Sequence, residues 1–306
     1  MFHDPLRSPL FLPAMARIGA LLAAGLLLVL AAELRNLRRG RRLRDSVLLR
    51  RCGTWAFTGP AFVTGVCAGG AVSLLVVLFL MLQSLREFEN VAGIELPYRR
   101  VLGGLSVLTV AVAGVAPGAL GMLPMAGFLA IAGVAVVRDG GEGAWRQVTA
   151  SLFGFVYLPL ALSSLLLIAR GTSAGPAGLL VAGTAVALSD VAAFVVGTLI
   201  GGPRLAPRLS PNKTVAGAAG NLLGAYAGVA VMGFALPAAW PLWLVAALPP
   251  LLAAAALFGD LVESLVKRSF AVKDAGTLLP GFGGLLDRID SLIVALPVAY
   301  VAFRLG

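Results

Sequence analysis

Charged side chains are scarce in this chain of 306 residues. They make up 12% of the sequence, against 59% hydrophobic residues and a mean hydropathy of +0.95. Soluble domains carry about 25% charged residues. This scarcity excludes an ordinary soluble domain and predicts a single polytopic integral membrane domain rather than several soluble ones.

Histidine, cysteine and lysine are also rare. The one histidine, His3, lies at the N-terminus, so general acid–base chemistry by histidine is not expected. Cys52 and Cys67 lack the spacing of metal ligands and do not predict a disulfide framework. Lysine occurs only at positions 213, 267 and 273, so the net charge of +10 comes almost wholly from arginine.

Long apolar runs are abundant. Runs of membrane-spanning length cover approximately 11–32, 54–83, 101–137, 148–169, 174–200, 215–236, 238–258 and 286–305. The run at 101–137 is too long for one helix and contains Pro117-Gly118, which predicts a hairpin. The run at 54–83 makes either one helix of about 45 Å or two shorter helices broken at Gly69-Gly70.

The placement of arginine sets the expected topology. Eight arginines lie between residues 35 and 51, which is typical of a cytoplasmic segment, either a simple topology-setting loop or an interfacial helix on anionic lipid. If residues 54–83 form a hairpin, 20 of the 24 basic residues fall on that side. We therefore expect an all-α polytopic fold of about ten transmembrane or re-entrant helices, with both termini outside the cytoplasm and a polar cavity facing it.

The last quarter of the chain breaks the apolar pattern. Nine ionisable residues fall between positions 260 and 290. A charge placed in a bilayer costs about 2.5–3.5 kcal/mol, so a retained cluster predicts a functional site. Part of this cluster follows helical spacing and would also suit a solvated helix end. Its members are Asp260, Glu263, Ser264 and Lys267.

Asp287 and Asp290 lie three residues apart at the predicted start of the last helix, so both project from one face. Acidic residues there also cap free N–H groups and favour the positive end of the helix, which is the structural alternative. We predict that Asp260 meets Asp287 and Asp290 to hold a divalent cation. Oxygen ligands without histidine favour magnesium over zinc.

A second polar group lies upstream. Asp190 is about 15 Å inside the segment ending near Ile200, so it is expected to face the protein interior or a watery cavity, as a structural or a site residue. Residues 210–214, which include Ser210 and Lys213, are typical of an N-cap with a lysine that reaches a phosphate. The small residues that follow predict close helix packing: Gly217, Ala218, Gly220, Gly224, Ala227 and Gly228.

The C-terminal residues resemble the phosphatidate cytidylyltransferase family, the CDP-diacylglycerol synthases. The family pattern runs Ser-x-x-Lys-Arg, then Lys-Asp, then Pro-Gly-His-Gly-Gly-x-x-Asp-Arg-x-Asp-Ser. This chain matches without a gap at Ser264, Lys267, Arg268, Lys273, Asp274, Gly276, Pro280, Gly281, Gly283, Gly284, Asp287, Arg288, Asp290 and Ser291. Segments 190–194 and 205–214 also resemble family elements, whereas the similarity before about residue 185 is topological.

The resemblance implies transfer of a cytidylyl group from CTP to phosphatidic acid, which releases pyrophosphate and forms CDP-diacylglycerol. It implies Mg²⁺ held by Asp260, Asp287 and Asp290, with the number of ions left open. The expected catalytic residues are Asp287, Asp290, Arg288 and Lys267. The expected substrate-binding residues are Lys213, Ser210, Arg268, Lys273, Ser264, Asp190, Gly283 and Gly284.

The resemblance also implies a homodimer among membrane lipids, with no nucleic-acid partner, in the inner (plasma) membrane with its active site facing the cytoplasm. We divide the chain into an extra N-terminal helix and basic segment (1–53), N-terminal membrane helices (54–170) and a catalytic membrane domain (171–306).

Three positions depart from the family pattern. Phe282 replaces its histidine, Ala216 stands where Glu or Gln is usual, and Val215 stands where Trp is usual. These departures keep open a non-catalytic homologue that acts as a scaffold. The remaining alternatives are a cytidylyltransferase for another lipid phosphate and a cation-coupled transporter that uses the intramembrane carboxylates.

Overall fold

The computed structural model describes residues 5–37, 47–272, 275–276 and 283–306. Nearly all of this part of the chain is helical, which confirms the predicted all-α class. The helices are α1 (Phe11–Leu37), α2 (Val47–Ala68), α3 (Gly70–Ala92), α4 (Leu96–Val115), α5 (Leu123–Val137), α6 (Ala144–Phe155), α7 (Ala161–Gly171), α8 (Gly175–Ile200), α9 (Val215–Met232), α10 (Leu242–Ser269) and α11 (Leu286–Phe303). A π-helical turn, Val156–Leu160, joins α6 to α7.

Length and hydropathy identify a multi-pass membrane protein. Among the described residues, eight helical segments are long and apolar enough to cross a bilayer. These segments are α1, α3, α4, α5 with the 3₁₀ turn before it, the continuous α6–α7 helix, α8, α9 and α10. Together with α2 and α11 they agree with the predicted number of about ten.

Both predicted breaks in the long apolar runs are present. The chain leaves α4 at Ala116 and forms a 3₁₀ turn over Pro117–Met122 before α5 begins. Between α2 and α3, Gly69 and Gly70 both adopt positive φ, a conformation that glycine reaches without a steric penalty. The two helices on either side extend beyond the apolar run, to Val47 and Ala92.

The described residues form two compact units, 1–73 and 74–306. In the first unit α1 packs against α2, where the side chain of Ile18 lies over Gly59. In the second unit the most extensive helix pairs are α8 with α9 and α10 with α11. These helices carry Asp190, Asp260, Glu263, Asp287 and Asp290, whereas Ser210 and Lys213 lie between α8 and α9.

Small residues on α9 allow it to touch the backbone of α8. A β-carbon at Gly220 would lie 2.6 Å from the carbonyl oxygen of Ala192, and one at Gly224 would collide with the carbonyl of Leu188. Gly228 meets Ala185 in the same way. The predicted role of these residues in close helix packing is therefore confirmed.

A short hairpin connects α8 to α9 where the sequence indicated only a loop. Strand β1 (Arg204–Ala206) pairs antiparallel with β2 (Ser210–Thr214). The predicted N-cap is confirmed, because the Thr214 side chain accepts a hydrogen bond of 3.0 Å from the Gly217 amide. Lys213 is thereby held directly at the start of α9.

Candidate metal centre

α10 and α11 approach most closely beside the predicted acidic residues. A β-carbon at Gly259 would lie 2.5 Å from the carbonyl oxygen of Asp290 and 3.2 Å from the Cα of Ser291. Only a residue without a side chain fits between the two backbones at that point. The close crossing places Asp260, the next residue of α10, beside Asp290 of α11.

Three carboxylates converge at this crossing. Asp260, Glu263 and Asp290 each present one carboxylate oxygen, and these oxygens all lie within 4.8 Å of one another. Glu263 is buried, and its Oε1 atom has no hydrogen-bond partner among the described residues. A buried, unpaired carboxylate oxygen is costly unless a cation or donor completes it. The donor set is that of a hard divalent cation, so these residues fit a metal ion.

Two lysines flank the carboxylates. The Lys213 ammonium pairs with Asp260, and the Lys267 ammonium pairs with Glu263 one helical turn away. Lys267 also reaches Asp287, at 2.9 Å from Nζ to Oδ1. With every group ionised, these two lysines balance only two of the four negative charges on Asp260, Glu263, Asp287 and Asp290, so a net negative charge remains to attract a cation.

Asp287 lies outside the group of three converging carboxylates. Its Oδ2 accepts hydrogen bonds from the amides of Gly284, at 2.8 Å, and Ala275, at 3.0 Å, in addition to the Lys267 contact. Gly284 and Ala275 both precede α11, so these bonds hold the chain that enters the helix and do not cap the N–H groups of the helix itself. The sequence prediction grouped Asp287 with Asp260 and Asp290, whereas the structure groups Glu263 with them.

A third helix adds Asp190. Its carboxylate accepts a hydrogen bond from the Ser291 hydroxyl at 3.2 Å, which joins α8 to α11 one residue beyond Asp290. Ser291 is buried while Asp190 keeps an exposed surface. An exposed carboxylate well inside an apolar helix is suited to a polar cavity rather than to lipid.

The other predicted site residues are distributed around this centre. Gly283 has a positive φ, and a β-carbon there would lie 2.7 Å from Oδ2 of Asp287, so its backbone approaches a carboxylate. Arg268 and Arg288 are exposed near the facing ends of α10 and α11. Ser264 follows Glu263 and is partly buried, as is Ser210 at the start of β2. Lys273, Asp274 and the stretch 277–282, which includes Phe282, lie outside the described residues.

An apolar groove of about 410 Å³ runs along the face of α11 that carries Asp290, in the direction of the C-terminus. Ile293, Val294 and Pro297 line it, at positions three, four and seven after Asp290. The opposite wall comes from the α6–α7 helix and includes Tyr157 and Ala161. The groove therefore leads along the helix that carries the acidic centre.

Two residues of the groove wall, Tyr157 and Ser164, carry a hydroxyl group. Tyr157 is buried, and its hydroxyl has no hydrogen-bond partner among the described residues. Buried Tyr hydroxyls usually find a partner, so this group is suited to contact a bound molecule.

Sequence reasoning missed Glu263 as a member of the carboxylate group, although its i+3 spacing from Asp260 was a usable signal. It also missed Glu87 on α3. This buried residue accepts hydrogen bonds from the backbone at the start of α11, which lies 198 residues further along the chain. The sequence offered no clear signal for it, because Glu87 lies beyond the apolar run at 54–83, among the polar residues near the end of α3.

These features define a multi-pass membrane protein with a candidate metal centre at the junction of α8, α10 and α11. The family model described as "Cytidylyltransferase family" matches residues 49–305, and the chain belongs to that family.

Named relatives agree with this assignment. The chain is 49% identical over 113 residues to the phosphatidate cytidylyltransferase of Brucella suis biovar 1 (strain 1330), a match that covers 37% of this chain and 42% of that protein. It is 38% identical over 161 residues to that of Mycobacterium leprae (strain TN), covering 52% and 51%. It is 29% identical over 245 residues to that of Staphylococcus epidermidis (strain ATCC 35984), covering 78% and 92%. The matches therefore span about half or less of the first two relatives.

Proposed function

We propose that this protein is a phosphatidate cytidylyltransferase that converts CTP and phosphatidic acid to CDP-diacylglycerol and pyrophosphate. The observation that carries the proposal is the convergence of Asp260, Glu263 and Asp290 within 4.8 Å, flanked by lysines, in a chain of the cytidylyltransferase family. The names of the relatives supply the lipid substrate.

The chemistry suits the residues at the centre. The second pKa of a phosphomonoester is about 6, so the lipid phosphate is mostly dianionic near neutral pH and is a ready nucleophile without a histidine base. One of its oxygens bonds to the α-phosphorus of CTP, and the bond from that phosphorus to the bridging oxygen of pyrophosphate breaks. The difficulty of the reaction is to bring two polyanions together.

The protein side chains meet this difficulty with charge. Asp260, Glu263 and Asp290 would hold a divalent cation, which we propose to be Mg²⁺ and which supplies neutralisation of phosphate charge. Lys213 and Lys267 already lie against these carboxylates and are placed to attract the two phosphate-bearing substrates. We propose that Arg268, Arg288, Lys273, Ser210 and Ser264 contribute to the same anion-binding surface.

Asp287 has a separate proposed role. Its hydrogen bonds to Gly284 and Ala275 fix the chain that enters α11, and its contact with Lys267 orients that ammonium. It therefore acts on the reaction by positioning its neighbours. Asp190, through Ser291, would line the polar side of the same cavity.

The groove along α11 is the proposed binding site for an acyl chain of the lipid substrate. An acyl chain is apolar and suits a wall of Ile293, Val294 and Pro297, while the phosphate at its head would sit towards Asp290. The Tyr157 hydroxyl is placed to donate to an ester or phosphate oxygen of this lipid. We propose that the acceptor enters sideways from the bilayer and that CTP comes from the cytoplasm, in an inner-membrane homodimer.

The decisive experiment uses the full chain purified in detergent and mixed with phosphatidic acid micelles, Mg²⁺ and CTP labelled at the α-phosphate. We expect label in CDP-diacylglycerol, with equimolar pyrophosphate, and loss of both when EDTA removes the cation. Label that enters a polyprenyl phosphate, but not phosphatidic acid, would move the substrate to another lipid class. No incorporation into any lipid phosphate, together with cation flux in proteoliposomes, would refute the enzyme in favour of a transporter.

A further inference from the structure

We propose that Glu87 of α3 is a positioning residue for the cation site, because its carboxylate holds the first turn of α11 in the orientation that aims Asp290 at Asp260 and Glu263. The inference rests on the proposed function. It assigns a role to a residue outside the acidic cluster and outside the C-terminal third of the chain.

Glu87 forms a buried set of hydrogen bonds at the start of α11. Its Oε1 accepts from the Leu285 amide at 3.0 Å and from the Gln83 side-chain amide at 2.9 Å. Its Oε2 accepts from the Leu286 amide at 2.8 Å. The side chain is only 4% exposed, so these donors replace water almost completely.

The helix needs this carboxylate because its own sequence supplies no substitute. The first N–H groups of a helix have no partner within the helix. Leu285 occupies the cap position of α11 and provides no side-chain hydrogen bond. An anion at this end also interacts favourably with the helix dipole. From α3, Glu87 satisfies the amide of the cap residue Leu285 and that of Leu286, the first residue of the helix.

Two glycines make room for this contact. A β-carbon at Gly284 would collide with Oε2 of Glu87, and one at Gly276 would lie 2.8 Å from its carboxyl carbon. Gly284 also donates its amide to Asp287 at 2.8 Å. One short stretch of backbone is therefore held between two carboxylates, Glu87 on one side and Asp287 on the other.

The consequence reaches the cation site through the rigid first turn of α11. Asp290 lies one helical turn after Leu286, so a tilt or shift of that turn displaces its carboxylate directly. Glu87 touches none of the three converging carboxylates in the described contacts. It acts on the cation through the helix that carries Asp290, as outer residues of metal sites do.

The test measures Mn²⁺ binding to the full chain in detergent, and electron paramagnetic resonance is the readout. Cytidylyl transfer is measured on the same preparations. Glu87→Gln keeps the size of the side chain but loses the charge and one acceptor. We expect it to weaken Mn²⁺ binding about 10–100-fold and to raise the Mg²⁺ concentration for half-maximal turnover in parallel. Glu87→Asp keeps the charge, and we expect a smaller shift in the same direction.

The matched control is Glu89→Gln, on the same helix. Glu89 is also buried, but among the described contacts none joins its side chain to α11, and Arg99 donates to its main-chain carbonyl, which the substitution leaves in place. We expect its Mn²⁺ affinity to stay within about twofold of wild type.

Each remaining outcome decides a different claim. If Glu87→Gln lowers only the unfolding temperature, and the folded protein binds Mn²⁺ like Glu89→Gln, Glu87 is merely structural and the inference is overturned. If Glu87→Gln cannot be purified, the same comparison of Mn²⁺ binding and unfolding temperature is made with Glu87→Asp. If wild type binds Mn²⁺ but transfers no cytidylyl group, the proposed function fails while the effect on cation affinity still tests Glu87. If wild type binds no cation, both proposals fall.

Discussion

Glu263 of α10 and Asp290 of α11 present carboxylate oxygens within 4.8 Å of each other, and Asp260 completes the group. Like charges this close repel unless a cation lies among them or a proton neutralises one. The Lys267 ammonium contacts one of the Glu263 oxygens, while the other oxygen is buried without a protein partner among the described residues. This pair of close carboxylates is therefore suited to share a cation.

Glu263→Gln should lower cytidylyl transfer on the order of 100-fold, because an uncharged amide cannot balance a divalent cation as a carboxylate does. The measurement is the rate with labelled CTP across a Mg²⁺ titration. Glu142→Gln, at an exposed carboxylate remote in sequence, is the control and should match wild type. Equal rates for the two variants would remove Glu263 from the site.

Asp290→Asn and Asp287→Asn should have different effects on turnover and on the unfolding temperature. Asp290→Asn should abolish turnover but leave the unfolding temperature unchanged or raised, since it removes repulsion within the carboxylate group. Asp287→Asn breaks a largely buried ion pair with Lys267 and weakens the hydrogen bonds from the amides of Gly284 and Ala275.

For Asp287→Asn we expect about 1–3 kcal/mol of lost stability, because Lys267 keeps only Glu263 as a charged partner and the amides of Gly284 and Ala275 lose a carboxylate acceptor. Thermal unfolding in detergent, read beside the transfer rate, separates the two variants. Retained turnover in Asp290→Asn would contradict the proposed cation ligand. An unchanged unfolding temperature in Asp287→Asn would contradict its anchoring role.

Ala161→Phe should raise the KM for phosphatidic acid about tenfold, because the added ring fills the groove along α11. Mn²⁺ affinity should not change, since the substitution is on the other wall from Asp290. The control is Ala130→Phe, which fills a second apolar groove of about 390 Å³ between α4 and α5. If both variants raise the KM alike, the effect belongs to general membrane packing and not to an acyl-chain site.

Gly224→Ala should destabilise the protein by about 2–3 kcal/mol, because its methyl group would meet the Leu188 carbonyl where α8 and α9 touch. Gly103→Ala is the control, in a helix position with nothing within 4 Å of the new methyl group. It should change stability by at most about 1 kcal/mol, in the favourable direction. Thermal unfolding of both variants in one detergent provides the comparison, and equal stability would contradict the backbone contact.

The helices were predictable because each depends on a local property of the chain. Apolar runs of spanning length fix the membrane segments, and Gly69-Gly70 and Pro117 break them for reasons of backbone conformation that act within one or two residues. Close packing at Gly224 and Gly228 followed from residue size alone. The cap at Thr214 followed from residue type and position.

The exact carboxylate group was less predictable. Helical spacing shows that Asp287 and Asp290 share a face, but it does not show which of them turns to the neighbouring helix and which to the preceding loop. The hairpin of β1 and β2 carries no apolar alternation that would mark strands. Glu87 contacts Leu285 across 198 residues, a pairing that no local pattern contains.

Lys267 serves as a shared counterion for Glu263 on its own helix and Asp287 on the next. If Glu263 becomes a ligand of a bound cation, the Lys267 ammonium would pair more fully with Asp287, which also accepts from the amides of Ala275 and Gly284. Hydrogen–deuterium exchange at Ala275 and Gly284 should then slow when the cation binds, so two small residues that precede α11 would report whether the centre is loaded.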